Sequence, residues 1–110
     1  MERFKPIFLE KVREFLYCLG EPDREKIIYN IRKSQIVVDP ELFEKLDQDI
    51  WEFRTNYRKK YYRLLAFWDK RDNKNTLVIC THGFIKKTKK TPKKEIEKAR
   101  KIMIEYFNQK

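Results

Sequence analysis

Hydrophobic residues near the N-terminus repeat at the spacing of an α-helix. They recur at every third or fourth position, at Phe8, Val12, Phe15, Leu16 and Leu19. This pattern predicts an amphipathic helix that begins near Pro6 and ends at Gly20. A second helix is expected from Pro22 to about Ser34, so the two helices should form an antiparallel hairpin. Residues 2–5 leave room for a short edge strand.

The middle of the chain has the alternating pattern of β-strands. In residues 50–54, Trp51 and Phe53 are expected to face the core, while Glu52 and Arg54 face the opposite side. Two further strands are predicted at residues 61–68 and 76–84, and the second of these is apolar enough to be fully buried. Polar stretches at residues 56–60 and 69–75 should be the turns, and residues 42–46 should pack as one helical turn or a loop.

A last helix is predicted after Thr91, which can cap it, with Pro92 in its first turn and an apolar stripe through Ile96, Ala99 and Met103. The fold class is therefore α+β. We expect an antiparallel meander of three strands with an N-terminal helical hairpin and a C-terminal helix, all helices packed on one face of the sheet. A chain of 110 residues supports a single domain spanning residues 1–110.

The charge of the chain makes it a candidate binder of polyanions. The chain has 27 basic and 17 acidic residues, a net charge of +10, and six lysines within residues 86–94. Such a clustered excess predicts affinity for nucleic acid, and we take RNA as the working hypothesis. The sequence has no run of about 18 apolar residues and no signal-peptide pattern, so a cytoplasmic protein without membrane contact is expected.

Several classes of chemistry find no support in the sequence. One histidine and two separated cysteines offer no recognised metal-ligand spacing, and two glycines cannot build a phosphate-binding loop. No serine or cysteine sits at a strand-to-helix elbow. We therefore expect no metal and no cofactor. His82, at the end of a buried strand, fits a hydrogen-bonded core residue better than a catalytic one, and it stays the weaker candidate for proton transfer.

The remaining candidate site is cationic. Arg63 is the only charged residue in its apolar strand, and it could pair with Glu52 on the neighbouring strand or bind substrate. The functional hypothesis is that Arg54, Arg63, Lys86 and Lys87 converge around a phosphate on an exposed sheet face. Alternation cannot show which of the two lysines faces Arg63. Residues expected to bind the flanking RNA are Lys59, Lys60, Tyr61, Lys89 and Lys90.

Three segments in series carry a specific family resemblance. FEKLDQDIWEFR, YYRLLAFW and HGFIKKTKKTPKKEIEKA occur in this order between residues 43 and 99. Their order and spacing resemble the phage-derived, HigB-like branch of the RelE/ParE toxin superfamily. The resemblance implies a small RelE-like fold and a toxin of a type II toxin–antitoxin system. It also implies that the toxin is an endoribonuclease, an mRNA interferase that typically cleaves messages on the ribosome.

By this resemblance, Arg63 matches the arginine that such toxins place at the scissile phosphate. Lys86 and Lys87 match the basic pair after the last strand. Glu52 and Arg54 match the glutamate and the arginine of the WELR strand of that branch. The general acid and base stay unassigned: Glu52, or a lysine with a lowered pKa, could take the 2′-hydroxyl proton. The implied partners are a helix-turn-helix antitoxin, mRNA and the ribosome, with operator DNA bound only through the antitoxin complex. A non-catalytic or ParE-like toxin with another target, or a degenerate toxin acting as a corepressor, are the alternatives.

Overall fold

The computed structural model describes residues 1–109, which form five strands and three helices. Their bounds are β1 Lys5–Phe8, α1 Glu10–Tyr17, α2 Glu21–Ile36, β2 Phe43–Lys45, β3 Trp51–Tyr57, β4 Lys60–Asp69, β5 Leu77–Ile85 and α3 Lys93–Asn108. The strands form one sheet in the order β1-β5-β4-β3-β2. This confirms the α+β class, the antiparallel meander of β3, β4 and β5, the helical hairpin and the C-terminal helix.

The N-terminal prediction was wrong in its first residues. Lys5–Phe8 is not helical but forms β1, which runs parallel to β5 with Phe8 opposite Cys80. Proline is tolerated at position 6 because an edge strand does not need every backbone donor. The helix starts only at Glu10 and ends at Tyr17, and Gly20 is the N-cap residue of α2 rather than the end of α1.

Three other local predictions were also wrong. Residues 42–46 contain the edge strand β2, whose Phe43 lies opposite Phe53 of β3, instead of a helical turn. The β3–β4 turn is only Arg58 and Lys59, both with positive φ, because Tyr57 already pairs with Lys60. At α3 the N-cap residue is Pro92, and the Thr91 hydroxyl bonds to Glu52 instead.

The helices cover both faces of the sheet, not one. On one face, α1 and α2 bury the largest core with side chains such as Phe53, Leu64 and Val78. On the other, α3 packs through Ala99 against a smaller core of Ile50, Leu65, Phe67 and Ile79. The central strands β4 and β5 therefore have two apolar faces along most of their length, which explains why they are nearly continuous apolar runs.

A β-bulge in β5 changes which side chains face which helix. Leu65 pairs with His82 and Ala66 with Cys80, so Thr81 is the extra residue. Val78 and Cys80 point to α1 and α2 before the bulge, and Gly83 does so after it. An added Cβ at Gly83 would lie 2.5 Å from a ring carbon of Phe15, so glycine is needed here for the helix α1 to approach.

The two cysteines are free, and only one of them is buried. Cys80 lies in the core, where burial raises the pKa of its thiol, whereas Cys18 at the end of α1 is exposed. Among residues 1–109, no helix combines the length and the apolar character needed to cross a membrane.

Candidate functional site

Three cations meet where α3 no longer covers the sheet. Arg54 of β3 lies directly opposite Arg63 of β4, which in turn pairs with Phe84 of β5. Two residues beyond Phe84, the backbone N–H of Lys86 donates to the carbonyl of Tyr61 at 2.7 Å. Because side chains alternate along a strand, Lys86 lies on the same face as Arg63, whereas Lys87 lies in the loop beyond the end of β5.

Glu52 is a buried acid between the two arginines. It is 2% exposed, and its Oε2 lies 3.3 Å from Arg54 Nε while its Oε1 lies 3.8 Å from Arg63 Nε. The Thr91 hydroxyl donates to Glu52 Oε1 at 2.7 Å. Arg54 Nη1 also contacts Glu44 Oε2 at 3.0 Å. The carboxylate thus has partners on both oxygens, as a buried charge requires.

Arg63 is buried to the same extent as Glu52. Its Nη1 donates to Asn56 Oδ1 at 3.0 Å and to the Tyr62 carbonyl at 2.8 Å, which orients the guanidinium. Burial lowers the pKa of Arg63, partly offset by the charge of Glu52. An arginine stays protonated under such a shift, so a fixed positive charge remains at this position.

The surroundings of Lys86 lower the pKa of its side chain. Burial lowers the pKa of its ammonium, and the charge of Arg63 lowers it further. Its Nζ donates to the Lys89 carbonyl at 3.1 Å, which places it over the loop between β5 and α3. A lysine of this kind is easier to deprotonate than one in water and can serve as a proton acceptor.

The cations line two adjoining clefts. The larger, of about 780 Å³, is called here the hairpin cleft, and it is lined by Asn56, Lys59, Lys60, Tyr61, Arg63, Ile85, Lys86, Lys87, Thr88 and Lys89. The smaller, of about 280 Å³, is called the carboxylate cleft, and it is lined by Glu44, Leu46, Glu52, Arg54, Lys86, Lys89, Lys90, Thr91 and Ile96. Lys86 and Lys89 belong to both.

Every residue that the sequence nominated for the site lies in one of these clefts. The hairpin cleft contains six cations and, among the residues described, no acidic side chain. Glu52, Arg54 and Lys90 are in the carboxylate cleft instead. Such an arrangement concentrates positive potential where a phosphate can approach, with Tyr61, which is 49% exposed, offering a ring for stacking.

Sequence reasoning missed three residues of the site: Asn56, Thr91 and Glu44. Asn56 was expected in a turn and Thr91 at a helix cap, yet both bond to buried charged side chains. Glu44 lies on a strand that the local pattern did not predict. No local sequence pattern marks these residues. Thr91 bonds to a residue distant in the chain, and Asn56 and Glu44 meet their partners only because neighbouring strands pair.

His82 has the buried, hydrogen-bonded environment expected of it. It is 3% exposed, and its Nε2 lies 3.0 Å from Glu95 Oε1 while its Nδ1 lies 2.9 Å from Thr81 Oγ1. A carboxylate can only accept hydrogen bonds, so Nε2 of the ring donates to Glu95. Burial lowers the pKa of His82, and a lower pKa favours the neutral form of the ring. His82 therefore joins β5 to α3.

Within residues 1–109, no three histidine, cysteine or acidic side chains come together as a metal-binding group. The charged groups of the clefts are suited to holding a phosphate diester directly.

Comparison with known proteins supports the family resemblance. A profile described as phage-derived protein Gp49-like (DUF891) matches residues 14–103, a range that includes all the residues nominated for the site. No curated protein matches the sequence significantly. The chain therefore belongs to the phage-derived Gp49-like family, a family of RelE-like toxins from toxin–antitoxin systems.

Proposed function

We propose that this protein is a metal-independent endoribonuclease, an mRNA interferase of the HigB-like branch, in which Arg63, Arg54, Lys86 and Lys87 act on the scissile phosphate. The observation that carries the proposal is the buried Arg63 beside Lys86, in a cleft lined by further cations and, among the described residues, by no carboxylate. An arginine held by Asn56 and Glu52 is preorganised, so it needs little reorganisation when charge develops on a phosphate.

The reaction exchanges one ester bond of the phosphate for another within the RNA. The 2′-oxygen attacks the adjacent phosphorus while the bond from phosphorus to the 5′-oxygen breaks, which leaves a 2′,3′-cyclic phosphate and a 5′-hydroxyl. Arg63 and Lys87 stabilise the negative charge that gathers on the phosphoryl oxygens. The leaving 5′-oxygen takes up a proton, which a lysine ammonium of the hairpin cleft can supply.

Lys86 is the better proton acceptor for the 2′-hydroxyl. Its lowered pKa makes the neutral amine more accessible, and it borders both clefts. Glu52 has both oxygens engaged, by Arg54 and by Thr91 and Arg63, so its more natural task is to hold the arginines in place. We assign the base to Lys86 and positioning to Glu52.

The partners follow from the family and from the charge. We propose that the chain acts as a single domain in the cytoplasm, on mRNA bound to the ribosome. A cognate helix-turn-helix antitoxin would silence it by covering or distorting the clefts, and the complex would bind operator DNA through the antitoxin. Ribosome dependence and operator binding rest on family analogy alone.

Inducible expression in bacteria without antitoxin tests the proposal. Wild type is compared with Lys86→Ala, Arg63→Ala and Lys33→Ala, and transcripts are mapped by primer extension. Lys33 is exposed on α2 and serves as a charge-matched control. Lys86→Ala is the cleaner variant because Lys86 is half-buried, whereas loss of Arg63 leaves the buried Glu52 with one arginine fewer.

We expect new 5′ ends within coding regions for wild type and Lys33→Ala, and cleavage reduced on the order of 100-fold for Lys86→Ala and Arg63→Ala. Circular dichroism of the purified variants separates loss of function from loss of fold. Growth arrest with intact transcripts would instead indicate a ParE-like target, and the absence of any arrest would indicate a degenerate toxin.

A further inference from the structure

A third cleft, of about 550 Å³, lies at the opposite end of β3 and β4 from the hairpin cleft. It is called here the tryptophan cleft, and its walls include Trp51, Trp68, Phe67, Phe107, Lys45 and Lys70. From Arg63 to Trp68 the strand β4 advances five residues, about 17 Å. The proposed active site does not use this cleft, so its aromatic rings and its two lysines, which outnumber the one acidic residue Asp49, are unexplained.

The walls of the tryptophan cleft are rich in flat rings. Trp51 and Trp68 are both half-buried, and their ring centroids are 5.5 Å apart in an edge-to-face arrangement. Phe67 and Phe107 lie on the other face of the sheet, the face covered by α3, where Phe67 is fully buried and Phe107 is 37% exposed. Partly exposed indole rings provide surfaces on which a planar ring can stack.

Cations and an unused donor accompany these rings. Lys45 and Lys70 are exposed at the rim, and the Lys70 Nζ lies 5.0 Å from the centroid of the Trp68 ring. The indole Nε1 of Trp68 is shielded from solvent, and no side chain or backbone group of residues 1–109 accepts its hydrogen bond. A buried donor without an acceptor is rare in native proteins.

We propose that the tryptophan cleft binds one unpaired nucleotide of an RNA strand, with the base against the indole rings and the phosphate between Lys45 and Lys70. Stacking on aromatic rings beside lysines is the common chemistry of single-strand binding. The site goes beyond the proposed active site, and it can exist whether or not the protein cleaves RNA.

Continuity with the other clefts favours RNA as the occupant. Glu44 and Leu46 of the β2 region line the carboxylate cleft, and Lys45 between them lines the tryptophan cleft. The carboxylate cleft in turn shares Lys86 and Lys89 with the hairpin cleft. Because side chains alternate along β2, Lys45 points to the opposite face of the sheet from Glu44, and β2 is the edge strand of the sheet. One strand of RNA that passes around this edge can therefore contact all three clefts, so the tryptophan cleft would select substrates with an unpaired segment near the cleaved bond.

Intrinsic fluorescence offers a direct test, because Trp51 and Trp68 are the only two tryptophans of the chain. The purified protein is titrated with adenosine 5′-monophosphate and with a 2′-O-methyl hexaadenylate, which cannot be cleaved because it lacks free 2′-hydroxyls. The variants are Lys45→Ala/Lys70→Ala, Trp68→Phe and the exposed control Lys33→Ala. A second control, Lys87→Ala, removes a cation from the hairpin cleft only.

We expect the mononucleotide to quench the fluorescence of wild type, Lys33→Ala and Lys87→Ala alike. The double lysine variant should bind the hexanucleotide on the order of tenfold more weakly than Lys33→Ala. Trp68→Phe should keep part of the quenching through Trp51, because a ring remains for stacking.

Two results would overturn the inference. In the first, the mononucleotide leaves the fluorescence unchanged, and the double lysine variant binds the hexanucleotide as tightly as Lys33→Ala does. The other is a fluorescence change caused by the cognate antitoxin and not by nucleotides, which would make the cleft a protein contact. A protein without cleavage activity that still shows lysine-dependent quenching would contradict the proposed nuclease but support this site.

Discussion

At the scale of single residues, the site is defined by how charges are held rather than by how many there are. Glu52 lies between Arg54 and Arg63 and is buried with Arg63, so the arginines keep fixed positions without a carboxylate in the hairpin cleft itself. Lys86 lies on the same face but donates to a backbone carbonyl at Lys89, and burial together with the charge of Arg63 lowers its pKa below the ordinary value.

The lowered pKa of Lys86 gives the proposed nuclease a specific pH dependence. The base works as a neutral amine, so kcat/KM for a short RNA should rise with pH and level off above the folded pKa of Lys86, which is below its ordinary value of 10.5. Activity is lost as pH falls because the amine becomes protonated. Lys86→Arg keeps the charge but cannot deprotonate in this range, so it should be poorly active at every pH. A Lys86→Arg protein with the wild-type rate and profile would exclude Lys86 as the base.

The Thr91 hydroxyl is expected to contribute to stability as well as to site geometry. Thr91→Val keeps the shape but removes the donor to the buried Glu52 Oε1, which should lower the free energy of unfolding by about 1–3 kcal/mol. Thr88→Val is the matched control, since the Thr88 hydroxyl is exposed and donates to the Lys90 carbonyl. Urea unfolding measures the stability of both variants. An equal loss of stability would show that the hydrogen bond to Glu52 contributes no more than the exposed one.

At the scale of elements, the β3–β4 hairpin carries strain that brings cations to the cleft. Arg58 and Lys59 have φ of 53° and 64°, a conformation that favours glycine and asparagine in two-residue turns. Lys59 nevertheless lines the hairpin cleft, and Lys60 follows it. Strained residues at such a place are commonly retained for function.

Replacing this turn should therefore separate stability from function. Arg58→Asn/Lys59→Gly supplies residues suited to positive φ and should stabilise the fold by up to about 1 kcal/mol. The same change removes a cation from the hairpin cleft, so affinity for RNA should fall. Thermal unfolding and RNA binding are measured on the same protein, with Arg58→Asn alone as the control that keeps Lys59. A less stable double variant would contradict the assigned strain.

At the scale of the whole molecule, the net charge of +10 and the three clefts predict binding that depends strongly on salt. Lys89 lies in both the hairpin and the carboxylate clefts. Lys89→Ala should reduce the slope of log affinity against log salt by about 0.7, the value for one phosphate of a single strand. Lys33→Ala, on α2, should leave the slope unchanged. Equal loss of slope in both variants would mean that binding is diffuse rather than localised in the clefts.

Local sequence patterns determined the elements that can be recognised from a few neighbouring residues. The sequence shows a helical periodicity in α3 and in the N-terminal helices, and strand patterns in the meander. In β3 the alternation separates Phe53 from Glu52 and Arg54. The order of three characteristic segments was enough to indicate the family. These features need no long-range contact to be recognised, because propensity and burial pattern act within each element.

Tertiary structure alone decided the rest. Lys5–Phe8 becomes a strand because β5, far along the chain, offers it a free edge, and β2 depends in the same way on β3. Thr91 meets Glu52 only once α3 has docked. The bulge at Thr81 reverses the alternation in β5, and this single extra residue puts Lys86 on the same face as Arg63. Register across strands depends on pairing partners, which a local pattern does not contain.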